Sequence, residues 1–132
     1  MKRLVLLFTV MTILCITAMA YAADPPKLVG VWEGQPSVHD MKSGYYTGKL
    51  VLNITEQKGN AFHGSKVYKL AAPKKDRSEN FSGSISSTGQ IFIADHDEGF
   101  MTGAMTKDGA MELQYGHNGK TAVAMHVVLK KK

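Results

Sequence analysis

The densest group of side chains able to do chemistry is Asp95-His96-Asp97-Glu98. Carboxylates and an imidazole this close together could hold Ca²⁺ or a transition-metal ion. The run lacks the ligand spacing of a calcium loop. It also falls where two strands need a connection, and a solvated turn accounts for its polarity without a metal. A second set offers imidazole and thioether, a pair suited to copper: His39-Asp40-Met41 and Met125-His126, with Met101, Met105 and Met111. Met101, Met105, Met111 and Met125 also fall in phase with apolar strand residues, and methionine is an ordinary core filler. Serine, histidine and carboxylates are all present, but no Gly-x-Ser-x-Gly elbow is. No metal, cofactor or catalytic residue is assigned, and an enzyme is the weakest of the functional readings.

Five side chains remain as candidate ligand contacts: Tyr45, Tyr46, Tyr68, Tyr115 and His126. A tyrosine has an apolar ring and a polar tip, which suits the wall or mouth of a cavity and suits core packing equally. His126 shares a strand face with Ala122 and Ala124. If that face lines the interior, His126 can bond a ligand or move a proton. If it looks outward, it is a surface histidine on an amphipathic strand.

The elements that must hold these residues are strands. Phe81-Ser82-Gly83-Ser84-Ile85 and Met101-Thr102-Gly103-Ala104-Met105 repeat one pattern, each followed by a turn (Ser87-Thr88-Gly89, Lys107-Asp108-Gly109) and a second apolar run. Alternating side chains put apolar residues two apart on one face, and a glycine between two such runs closes a hairpin. Elsewhere Leu50, Leu52 and Ile54 are in phase, as are Val123, Met125, Val127 and Leu129. Phe62, Gly64, Lys66, Tyr68 and Leu70 share another phase, with Lys66 its polar member. Either the Lys66 stem lies along the apolar face with its amine at a rim, or the phase slips at a bulge near Gly64. Gln35–Gly44 and Ala71–Asn80 read as polar loops, and Lys130-Lys131-Lys132 as a solvated tail. Tight turns link nearly all of eight short strands. The expected fold is all-β, an eight-stranded antiparallel up-and-down meander barrel, with a β-sandwich as the alternative.

Residues 1–22 read as a secretory signal peptide. Lys2 and Arg3 precede an apolar run from Leu4 to Ile16, then the small-x-small sites Ala18-Met19-Ala20 and Ala20-Tyr21-Ala22. The run is short of the ~20 residues a spanning helix needs. Residues 23–132 then form a single domain, exported to the periplasm or medium of a bacterium. Cys15, the only cysteine, leaves with the leader, so no disulfide or thiolate is available. The formal charge of +5 falls by two with Lys2 and Arg3. Arg77 is then the only arginine, which argues against nucleic-acid readout.

Gly30-x-Trp32 on the first strand of such a meander resembles the lipocalin and avidin group of barrels, the calycins. Phe62-x-Gly64 and Phe81-x-Gly83 resemble the strand openings of avidin-type barrels. A similar Gly-x-Trp-x-Gly start also resembles small exported bacterial proteins of unassigned function. The resemblance implies a barrel closed by Gly30 and Trp32 at one end, with a ligand cavity at the other. Lipocalins often pack a basic residue, usually arginine, from a late strand over that tryptophan; this chain departs from that pattern, and only Lys130 approximates it. Trp32 is the only tryptophan, so biotin binding is not implied. The function expected is binding of a small apolar or amphipathic ligand in the barrel mouth. The alternative is a filled barrel that binds a protein partner through its loops. Neither involves nucleic acid or a membrane span in the mature chain.

Overall fold

The computed structural model describes residues 24–69, 76–96, 99–117 and 119–132. The segment 1–22 expected to be a leader, Asp97, Glu98 and residues 71–75 of the charged loop lie outside them. The strands are β1 Gly30–Gly34, β2 Ser37–Asp40, β3 Gly44–Thr47, β4 Lys49–Lys58, β5 Ala61–Lys69, β6 Arg77–Ile85, β7 Gln90–Asp95, β8 Phe100–Met105, β9 Met111–His117 and β10 Val123–Lys131. All pairings are antiparallel. The ring runs β1-β4-β5-β6-β7-β8-β9-β10 and closes when β10 pairs with β1. This is a closed eight-stranded up-and-down barrel, not a sandwich, with β2 and β3 as two further strands carried on β10.

Those two strands correct the sequence reading of Gln35–Gly44 as a loop. Ser37–Asp40 pairs with both β10 and β3, and only Met41–Ser43 turns. The register shows why. Trp32 lies opposite Lys131 and Ser37 opposite His126, so five steps along one strand match five along the other. Gly34 lies opposite Leu50 and Ser37 opposite Thr47, three steps on each side. Thus β1 and β2 are one strand line interrupted at Gln35-Pro36, and β3 and β4 are another interrupted at Gly48. Proline has no N–H to give the ladder. The Thr47 hydroxyl donates to the Pro36 carbonyl at 2.6 Å and holds the interruption together. Arg77–Asn80, read as part of the charged loop, opens β6 instead.

Apolar side chains alternate inward, as the period-two pattern requires. Leu50, Leu52, Ile54, Phe62, Phe81, Ile91, Ile93, Leu113, Val127 and Leu129 form one buried cluster with Trp32. The outer face carries mostly polar or small side chains, the reverse of a barrel that faces lipid. Leu28, two residues before β1, is fully buried and plugs the barrel end. Its carbonyl accepts a 2.7 Å bond from Trp32 Nε1. Its N–H donates to Gln57 Oε1 at 2.7 Å. Gln57 Nε2 in turn donates to the carbonyls of Pro26 and Gly59.

The C-terminal lysines are not a solvated tail. Lys132 N–H donates to the Val31 carbonyl at 2.9 Å, and its ammonium meets Glu33 at 2.7 Å. Lys131 rather than Lys130 lies over Trp32, with Nζ 5.5 Å from the ring centroid. Strand parity decides this, because 131 shares its face with Met125, Val127 and Leu129.

Inward glycines let the strands approach each other closely. A Cβ on Gly103 would sit 1.9 Å from the Glu112 carbonyl oxygen, and one on Gly64 would sit 2.0 Å from that of Asn53. Backbone cannot yield as a side chain can. Gly103→Ala should therefore lower stability by about 1–3 kcal/mol, read as a lower urea midpoint. An unchanged midpoint would mean that the ladder relaxes freely there.

Candidate functional site

The two ends of the barrel differ chemically. From Trp32 inward the interior is packed with apolar side chains. Toward the other end the inward positions turn polar and aromatic: Lys66 and Tyr68 on β5, Glu79 on β6, Asp95 on β7, and Tyr115 on β9.

Lys66 forms the floor of this region. Its side chain is 1% exposed and its ammonium pairs with Asp95 Oδ2 and, at 2.9 Å, with Glu79 Oε2. The Asp95 side chain is 2% exposed, and its other oxygen accepts the Gly99 N–H at 2.7 Å. The Lys66 ammonium also lies 4.7 Å from the Tyr115 ring centroid and 5.5 Å from that of Tyr68. Neither sequence reading of Lys66 holds. The amine is not at a rim, and the phase does not slip at Gly64. The register shift falls instead in β4, between Ile54 and Glu56. A buried ammonium is tolerated because two carboxylates and two ring faces replace its water.

Above this floor a cavity of about 660 Å³ opens at the barrel mouth. Tyr46, Tyr68, Tyr115, Val38, Val123 and Met125 supply its apolar walls, and Asp40, Asp76, Arg77, Glu79 and His117 its charged or titratable groups. The Tyr68 hydroxyl donates to the Met125 sulfur at 3.2 Å. Burial holds the Tyr68 phenol well above the usual range, with nearby Tyr115, Glu79 and Asp95 adding to the shift. Burial also raises Tyr46, reinforced by Asp40 and opposed by Arg77.

The alkaline consequence follows in sign. An unfolded tyrosine ionises near pH ~10 and the folded Tyr68 above that. Its contribution to stability is therefore complete below pH ~10 and is lost as pH rises beyond it. Stability should fall more steeply above pH ~10 in the wild type than in Tyr68→Phe, by urea melts at stepped pH. Equal slopes would contradict the burial of that phenol.

The structure separates the five candidate contacts. Tyr46, Tyr68 and Tyr115 meet in the mouth, and the Tyr68 and Tyr115 rings pack edge to face with centroids 6.5 Å apart. Tyr45 is 87% exposed and stacks at a tilt on His39. His126 is on the outer face, paired with Glu112 at 2.8 Å. A second recess of about 660 Å³ runs along β2, β3, β9 and β10 and includes Tyr45 and His126. Its walls are largely outward side chains, whereas the mouth cavity is walled by the barrel itself. Among the described residues no group of three or more metal-ligating side chains is arranged to hold an ion.

Sequence reading missed Lys66, Glu79 and Asp95 as one unit. A lysine in register with four apolar or aromatic positions was the available signal. No protein-family description, curated protein or solved structure matches this chain.

Proposed function

We propose that the protein is an exported binding protein that takes a small apolar or amphipathic molecule into the open end of its barrel. The observation that carries this reading is the mouth cavity of about 660 Å³, walled by three tyrosines and Met125. That size lies in the ordinary range for small-molecule sites, and the lining divides between an aromatic and apolar wall and the polar groups Asp40, Asp76, Arg77, Glu79 and His117, as an amphipathic ligand requires. The packed lower half gives the ligand a fixed floor.

The test is titration with lipophilic dyes whose own emission rises in an apolar site. Trp32 would report poorly, because it sits at the far, plugged end. Saturable binding is expected, weakened at least about tenfold by Val123→Trp, which fills the cavity. Absence of saturation with every dye, from a folded wild type, would defeat the reading.

A second reading, an interaction module, draws on the outer wall. Phe92 and Phe100 stack there with centroids 6.5 Å apart, both half-exposed. Loss of a captured partner in Phe92→Ser/Phe100→Ser would favour it.

A further inference from the structure

We infer that the outer wall of β6–β10 is a contact surface for a second copy of this chain, joined about a two-fold axis. The inference is independent of the mouth cavity, which opens at an end of the barrel and not on its side.

The strand register lays the outward residues of this wall in three rows. Ser82, Ala94, Phe100, Gly116 and Ala124 form the first. Ser84, Phe92, Thr102, Gln114 and His126 form the second. Gln90, Ala104, Glu112 and Val128 form the third. Phe92 and Phe100 stand half-exposed in the middle of the wall, their rings stacked 21° from parallel. Two large rings in contact with water favour a surface that covers them.

Charge selects what covers them. The first two rows hold no carboxylate, lysine or arginine, and Glu112 in the third is paired with His126. The opposite wall differs: β4 and β5 expose Lys49, Glu56, Lys58 and Lys69. Depletion of charge around aromatic residues marks the core of an interface. A chain of formal charge +5 repels its own copies. This wall lets two copies approach without setting lysine against lysine.

Relief and hydrogen bonding on the wall are self-complementary. In the first row one large side chain stands among four small ones. The Phe100 ring leans over Gly116, where a Cβ would lie 3.4 Å from its Cζ. About a two-fold axis near β9, the Phe100 ridge of each copy lies on the low strip at Ala124 of the other. Ser84, Thr102 and Gln114 both donate and accept hydrogen bonds, so each copy supplies what the same residues opposite need. Five strands about 4.8 Å apart make the wall roughly 20 Å wide. That suits a contact at the small end of specific interfaces, with dissociation in the micromolar range.

Sedimentation velocity across the micromolar range should show a reversible monomer–dimer equilibrium. Phe92→Lys/Phe100→Lys should weaken the dimer at least about tenfold, with circular dichroism unchanged because both side chains lie outside the core. The cross-linking arm locates the contact. In a background without Cys15, the only native cysteine, Gln114→Cys should give a covalent dimer with a short bis-maleimide. Asn53→Cys, exposed on the opposite wall, should not. A monomer at every concentration would overturn the inference. So would a dimer that cross-links through Asn53→Cys and is unmoved by the two lysines. A monomer that captures a different protein through Phe92 and Phe100 would also overturn the second copy and give the wall to that partner.

Discussion

Replacing Lys66 by methionine is expected to destabilise the barrel by about 3–5 kcal/mol. The methionine fits the space, so the loss is electrostatic. Two carboxylates, Asp95 and Glu79, would remain at the floor of the cavity without the ammonium that both contact. Asp95 has no route to water, because its side chain is almost wholly enclosed and its second oxygen is bound to Gly99. The compensating variant separates charge from packing. Lys66→Met combined with Asp95→Asn and Glu79→Gln removes all three charges and keeps the shapes. It should recover most of the loss and could exceed wild type by ~1–4 kcal/mol, as apolar replacements of buried ion pairs often do. Urea denaturation of the three proteins decides the matter. A single variant as stable as wild type would mean that the carboxylates find other partners. A triple variant as weak as the single one would mean that packing, not charge, is what Lys66 provides.

Trp32→Ala should cost about 3–5 kcal/mol for a different reason. Trp32 is buried in the main cluster. It also joins three separate pieces of chain: its indole N–H holds the Leu28 carbonyl, its ring lies beneath the Lys131 ammonium, and its backbone pairs with Leu52. Losing the ring opens a cavity and unpins the plug segment together. Trp32→Phe should lose less, because it refills much of the volume and forfeits only the indole bond. Thermal melts of the two variants would show the order. Equal losses would place the whole effect on the Leu28 bond.

The barrel was readable because its signal is redundant. Leu50-x-Leu52-x-Ile54, Ile91-x-Ile93 and Val127-x-Leu129 each repeat the same alternation, and tight turns between them leave a meander as the simplest path. The interruption at Pro36 was misread, because proline and polar neighbours signal a loop whether or not the register continues beyond them. That it continues is a property of the partner strands β10 and β3, and no local pattern encodes it. The site was half legible. Tyr46, Tyr68 and Tyr115 have the chemistry of a cavity wall and do meet in the mouth. Tyr45 and His126 shared that chemistry but have the opposite parity on their strands. The Lys66, Asp95 and Glu79 cluster escaped because its members come from three strands. In the sequence Asp95 opens a polar run that resembles a surface turn, whereas in the fold it is the last inward residue of β7.

The ring closes where the line of β1 and β2 meets β10: Trp32 faces Lys131, Glu33 faces Lys130, and Ser37–Asp40 face Val123–His126. Every other seam of the ring except β1 to β4 joins strands adjacent in the chain. Folding therefore has a built-in order. The hairpins can zip locally, whereas this last seam must bring together segments nearly a whole chain apart and carries the largest loop-closure entropy. Until it forms, the sheet is an open ribbon with two bare edges, the state in which strands of different molecules can pair. The C-terminal lysines sit on one of those edges and place like charges on it before closure. In pulsed hydrogen exchange the Lys132 amide should gain protection after those of the β4–β5 hairpin. Simultaneous protection would point to closure without an open intermediate.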